Sequence, residues 1–191
     1  MSISHVRADY LVDIDGSVET ADEFYTKFGW SPVGEECKRT QFNIGGKTFA
    51  VLGAYCQTGF LHWKIFDGTV SDDDVATFVE ELRTRLPPNS FGLFDNASNQ
   101  RTPLARNRME AVFNGRYKYC SAYSPELKPV ENGFSNVKCW IRTHVDDLEY
   151  RGKPIKLINA AFHHYSPMGP AGITAYHHFD FYRELHALHN E

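Results

Sequence analysis

No two cysteines in this sequence are spaced as a metal or redox motif. Cys37, Cys56, Cys120 and Cys139 stand far apart, without a Cys-x-x-Cys step. This argues against a zinc module and offers no disulfide framework. There is also no apolar run near the roughly 20 residues that a membrane-crossing helix needs. The longest candidate, Thr48 to Cys56, is strand-sized. The opening residues, Met1 to Asp9, are polar and lack the apolar centre of a secretory signal. The expectation is a reducing compartment inside the cell and no membrane. Internal repeats and low-complexity tracts are missing too, which sets aside solenoids and disordered arrays. The stretch before Asp15 is too short for a helix-turn-helix module.

What is there is ordinary in bulk and uneven in charge. The 191 residues, 42% hydrophobic and 23% charged, suit one well-cored globular domain. The net charge of −4 conceals a division: residues 1–100 carry 8 basic and 15 acidic side chains, 101–156 carry 11 and 6, and 157–191 carry 1 and 3. A polyanion would be met by the 101–156 segment. Ordinary surface variation gives the same numbers, so charge alone does not decide.

Ala8 to Ile14 reads as a strand, closed by the turn signal Asp15-Gly16-Ser17. Lys47 to Tyr55 and Gly59 to Phe66 are β-rich runs, and Cys56-Gln57-Thr58 between them predicts a hairpin. Val75, Phe78, Val79, Leu82 and Leu86 recur at helical spacing after a cap at Ser71 or Asp72, and Pro87-Pro88 stops that helix. Ser90 to Phe94 is a short apolar strand running into Asp95-Asn96. A helix over Pro103 to Phe113 presents Ala105, Met109, Val112 and Phe113 on one face; Arg116 to Cys120 is a strand, broken at Ser124-Pro125. A long helix starts at Pro129, where a missing N–H costs nothing. The tail from Pro154 is helical around Ile158 to Tyr165 and interrupted at Ser166 to Gly172. The order predicts an α/β fold, a mixed sheet with helices packed on it, in a single domain.

Asp15 and Asp95 each end an apolar run, the edge where side chains leave the core of an α/β sheet for a shared crevice. Glu131 falls in the first turn of a helix, where the dipole favours an anion. Three carboxylates meeting there would repel, and a hard divalent cation such as Mg²⁺ or Mn²⁺ relieves that repulsion through oxygen ligands. Each alone has a plainer role, as turn former, cap or dipole partner. Asp13 lies on the same strand face as Asp15, and spacing alone does not choose between them.

The strings Phe94-Asp95-Asn96-Ala97-Ser98 and Tyr123-Ser124-Pro125-Glu126-Leu127-Lys128-Pro129-Val130-Glu131-Asn132, with 35 residues between Asp95 and Glu131, resemble the DDE endonuclease domain of mariner-like transposases. Asp15-Gly16-Ser17, fourteen residues before Gly29-Trp30-Ser31-Pro32-Val33-Gly34, is similar to that family's first-acid motif and the turn that follows it. This register selects Asp15 over Asp13. Lys138 fits the basic residue that the family carries beyond its Glu. The resemblance covers roughly residues 8 to 180. It implies a ribonuclease-H-like domain over 1–191, with a core at about 8–150 and a helical extension at 151–191, lacking the N-terminal recognition region. It also implies two Mg²⁺ or Mn²⁺ ions on Asp15, Asp95 and Glu131, and DNA, as transposon ends and target, as substrate. A homodimer is compatible with it, and so is a place in the nucleus of a eukaryote or otherwise in the cytoplasm or nucleoid. The departures are Gly16 for Glu, Lys128 for Asn, Phe134 for Trp and Asn99 for His, all beside the acids whose orientation such neighbours set.

Arg101, Arg106, Arg108, Lys128 and Lys138 are candidate contacts to DNA phosphates, with a solvated helix face as the plainer reading. His163, His164, His177, His178, His186 and His189 form no ligand set by spacing, and Trp30, Trp63 and Trp140 read as packing residues. The implied function is metal-dependent DNA cleavage followed by transfer of the freed 3′-hydroxyl to target DNA. The alternatives are a domesticated or degenerate remnant that binds nucleic acid or protein without cutting, and a different ribonuclease-H-like nuclease.

Overall fold

The computed structural model describes residues 5–20, 24, 30–37, 47–120 and 128–170. Among these residues five strands form one sheet. They are β1 (Leu11–Thr20), β2 (Thr48–Cys56), β3 (Gly59–Asp67), β4 (Phe91–Phe94) and β5 (Tyr117–Tyr119), in the order β3-β2-β1-β4-β5. The pairs β1–β2 and β2–β3 are antiparallel, whereas β1–β4 and β4–β5 are parallel. Four α-helices are described: α1 (Asp72–Leu82), α2 (Pro103–Phe113), α3 (Pro129–His144) and α4 (Pro154–His164).

The sheet has a core on each face. Val12 and Ile14 of β1, with Leu52, Ala54 and Phe94, pack under α1 and α2. Leu11, Val51, Tyr55 and Leu93 pack on the other face under α3 and α4, against Val130, Phe134, Ile158 and Phe162. The alternation within β1 is the two-residue period of a strand. Burying both faces explains why β2 and β4 read as almost continuous apolar runs.

The helices start where the sequence predicts. Ser71 caps α1 in a reciprocal capping box with Asp74, and Thr102 caps α2 by accepting from the Ala105 N–H at 3.3 Å. α3 begins at Pro129 as expected. α1 stops at Leu82, five residues short of Pro87, in a tightened last turn where the Arg85 and Leu86 N–H groups both donate to the Leu82 carbonyl. The hairpin turn is Gln57-Thr58, with Cys56 still in β2. Gly59 follows at φ 113°, and a Cβ there would lie 2.1 Å from the Tyr165 carbonyl oxygen, so this position requires glycine.

Two expectations are corrected. Asp15-Gly16-Ser17 is not a turn but lies inside β1, because each residue has a partner on β2: Gly53, Leu52 and Val51. Cross-strand pairing overrides the local turn preference. Trp30 is not a packing residue; it is fully exposed on the segment 30–37. Trp63 does pack, stacking on Phe162 and donating to Asn159 Oδ1 at 2.9 Å, and Trp140 stacks on His144. His163 is exposed and His164 lies against Trp140 and Tyr165. His177, His178, His186 and His189 lie outside the described residues, as do Gly29 and the Tyr123-Ser124-Pro125-Glu126-Leu127 string.

Candidate active site

Asp15 and Asp95 are brought level by strand register. Ile14 pairs with Phe94, the last residue of β4, so the next residue of each parallel strand is one of the two acids. Beyond this pair, among the described residues, β1 continues against β2 only, and the sheet opens where ligands collect in α/β folds. Asp15 and Asp95 line one cleft of about 540 Å³, together with Gly16, Val18, Val70 and Asn99.

Polar side-chain bonds hold the turn after β4. An Asp95 carboxylate oxygen accepts from the Ala97 N–H, and the Asp95 N–H donates to Gln100 Oε1 at 3.1 Å. The Asn96 side-chain amide donates to the Cys120 carbonyl, tying this turn to the end of β5. Asn99 donates to the Val70 carbonyl at 3.4 Å.

Glu131 is the acidic residue in the first turn of α3, at the positive end of the helix dipole. Burial pushes its carboxyl above the usual range, and repulsion from Asp15 and Asp95 adds to this against the pull of Lys128 and Lys138. The three acids therefore feel one another across the same edge. They do not form a ready-made cage. Among the described residues, no three His, Cys, Asp or Glu side chains are gathered closely enough to hold a metal ion.

The cation that the structure does place there is Lys128. Its side chain is almost wholly buried, its ammonium donates to Asp15 Oδ2, and it lies 3.8 Å from Asp13 Oδ1. Burial works against its charge, but the two aspartates outweigh burial and hold its pKa above the ordinary lysine range. Truncating one member of such a buried pair costs about 3–5 kcal/mol, because the other charge is left uncompensated. Lys128 was expected to face DNA; it faces the core, since two buried carboxylates demand a counter-charge.

Asp13 has a structural part that sequence reasoning missed. It is fully buried on the α3 face of β1, and its Oδ2 accepts the Val130 N–H at 3.1 Å, satisfying one of the four free donors at the start of α3. Its Oδ1 has no hydrogen-bond partner among the described residues. Burial pushes its carboxyl up to about 7, opposed by Lys128 and reinforced by Asp15. Asp15 is likewise raised, by burial first, against the pull of Lys128. The signal for this triad was an Asp-x-Asp step in an apolar strand, with one lysine beside a predicted helix start.

The other basic candidates divide. The guanidinium carbons of Arg101 and Arg106 lie 5.7 and 5.9 Å from the ring centre of Tyr119, whose hydroxyl donates to the Gln100 carbonyl at 2.9 Å. Both arginines therefore lie against Tyr119, which is tied through Gln100 to the Asp95 turn. Arg108 instead lies 3.8 Å from Glu80 of α1, and Lys138 donates to the Val18 carbonyl at 3.3 Å.

In kind, carboxylate oxygens suit hard divalent cations, and Asp15 and Asp95 present theirs to one cleft. In its present arrangement Asp15 is already engaged. One of its oxygens bonds Lys128 and the other accepts the Gly16 N–H at 2.7 Å.

The profile of the DDE superfamily endonucleases matches residues 11–149. No curated protein matches the sequence. Among solved structures, the pre-cleavage Mos1 transpososome superposes with a TM-score of 0.67 at 16% identity, over 95% of this chain and 56% of that one. The Mos1 mariner paired end complex with Mn gives 0.63 at 15% identity, over 96% and 55%. The Mos1 transposase catalytic domain with Raltegravir and Mg gives 0.62 at 14% identity, over 97% and 85%. The chain thus spans about half the length of the Mos1 chains in the DNA complexes, and the likeness shows a shared ribonuclease-H-like fold.

Proposed function

Because the chain belongs to the DDE superfamily endonucleases, we propose that it cuts DNA and joins the freed 3′ end to target DNA, with Asp15, Asp95 and Glu131 as its metal-holding acids. The observation that carries this reading is the register that sets Asp15 beside Asp95 at the opening of the parallel pair, with Glu131 in the first turn of the helix whose Val130 N–H bonds Asp13 of the same strand. Two Mg²⁺ or Mn²⁺ ions bound there would supply an activated attacking oxygen and a stabilised leaving oxygen. The chain's own residues supply position. Asp15 and Asp95 are presented from paired strands, and Glu131 from a helix tied to β1 through Val130 and Asp13.

Transposon ends and target DNA are the proposed substrates, and the Mos1 complexes, a transpososome and a paired end complex, support that assignment. Arg101 and Arg106, beside the Asp95 turn, are the proposed phosphate contacts. A homodimer, and action in the nucleus of a eukaryote or in the nucleoid otherwise, fit the same reading. Retention of all three acids favours cutting over a silent remnant. The test is nicking of supercoiled DNA in Mn²⁺ by the wild-type chain and by Asp95→Ala. Cutting that falls at least a hundredfold in the variant is expected. No cutting by the wild type, or equal cutting by both, rejects the reading.

A further inference from the structure

The acid that leads the site is already neutralised from within. Asp15 is 8% exposed, one carboxylate oxygen accepts from Lys128 and the other from Gly16, and Lys128 is itself 5% exposed. Lys128 cannot simply be swung aside at no cost, because Asp13 lies 3.8 Å from the same nitrogen with an oxygen that has no hydrogen-bond partner among the described residues. Its backbone is the N-cap of α3, three residues before Glu131. An ammonium and a divalent cation on one carboxylate repel each other, and the low-dielectric surroundings strengthen that repulsion.

We propose that Lys128 is the resident cation of Asp15, so that a divalent ion reaches this carboxylate only by displacing the lysine ammonium. The inference rests on the assignment of Asp15 as a metal-holding acid. It adds that this chain carries its own competitor for the metal, on the segment that leads into the helix bearing the third acid. Lys128 is the N-cap of α3, three residues before Glu131, so the competing cation and the third acid belong to one helix start. Without metal, Lys128 holds Asp13 and Asp15 together in the fold. With metal, it must find a new partner at the opening of the cleft.

Direct Mn²⁺ binding to the full chain, read from the spin-resonance signal of the free ion, tests this without reference to activity. Lys128→Met keeps the apolar stem and removes the charge; Lys128→Arg keeps the charge. The dissociation constant is expected to tighten at least tenfold in Lys128→Met and to stay within about threefold of wild type in Lys128→Arg. Adding Asp15→Asn to Lys128→Met should remove the gain. Should Lys128→Met fail to fold, the wild-type chain still decides the matter. Acylation of Lys128, followed by mass spectrometry, should be slow without metal and at least fivefold faster at saturating Mn²⁺. Equal Mn²⁺ affinity in wild type and Lys128→Met, or labelling of Lys128 indifferent to Mn²⁺, overturns the proposal. If affinity is equal and still lost in Asp95→Ala, the metal site stands and only the competition falls. If no variant binds Mn²⁺ at millimolar concentration, the metal assignment fails along with it.

Discussion

The Val130 N–H donates to Asp13 Oδ2 at 3.1 Å, joining the first turn of α3 to the middle strand of the sheet. This bond separates two aspartates that local sequence leaves equivalent. Asp13 is committed to the helix start inside the core, while Asp15, two residues on, lies at the cleft with Asp95. The residue next to Val130 is Glu131, so the strand-to-helix bond also positions the third acid.

Stability should fall with pH through the neutral range because of Asp13. Its folded value, about 7, lies above the ordinary 3.8, so the folded chain holds that proton more tightly than the unfolded chain does. The contribution is complete below about pH 4 and is lost as pH rises through 7. Asp15 and Glu131 are shifted the same way. Asp13→Asn keeps an acceptor for Val130 and should therefore shrink the difference between urea midpoints at pH 5 and pH 8. A variant with the wild-type pH dependence would show that Asp13 is ionised in the fold.

Divalent metal should stabilise the folded chain, since it relieves repulsion among Asp15, Asp95 and Glu131. An ion at tenfold excess over its dissociation constant contributes about 1.4 kcal/mol, or roughly 3–5 °C in the melting midpoint at this size. The same rise in Asp95→Ala would remove Asp95 from the metal site.

Gly133 of α3 sits where helix and sheet meet closely. A Cβ there would lie 2.9 Å from the Tyr55 ring and 3.0 Å from the Phe60 ring, both buried. Alanine gains about 1 kcal/mol of helix propensity, but overpacking against two enclosed rings costs about 1–3 kcal/mol. Gly133→Ala should therefore lower stability by about 1 kcal/mol in urea titrations. A stabilised variant would mean that α3 can lift from the sheet freely.

DNA binding by this chain should be weak, indifferent to sequence and strongly dependent on salt. The basic surplus lies in residues 101–156, whereas 1–100 carry a net −7. Phosphate contacts of that kind give dissociation constants of roughly 10⁻⁴–10⁻⁶ M at physiological salt. Arg101→Ala and Arg106→Ala should each flatten the salt slope by about 1, whereas Arg108→Ala, with Glu80 as its neighbour, should change it little. Tight binding to one duplex that barely responds to salt would reveal a base-reading surface.

Local pattern was enough for most elements. The period of Val75, Phe78, Val79 and Leu82, the cap at Ser71, and Pro103 and Pro129 at helix starts located α1, α2 and α3, because caps and amphipathic spacing act within a few residues. The acids Asp95 and Glu131 were legible as well, one at a strand end and one in a helix's first turn. Two things were not. β1 runs through Asp15-Gly16-Ser17 because β2, more than thirty residues later, pairs with each of them. Lys128 turns inward because burial of Asp13 and Asp15, over a hundred residues earlier in the chain, leaves charge that needs a counter-ion. The sequence by itself determined which residues could form elements and which acids stood at their ends, since those signals are short-range. Only the tertiary structure decided that Asp13 anchors a helix, that Asp15 meets Asp95, and that a lysine already stands on that acid, since desolvation and register act between residues that are distant in the chain.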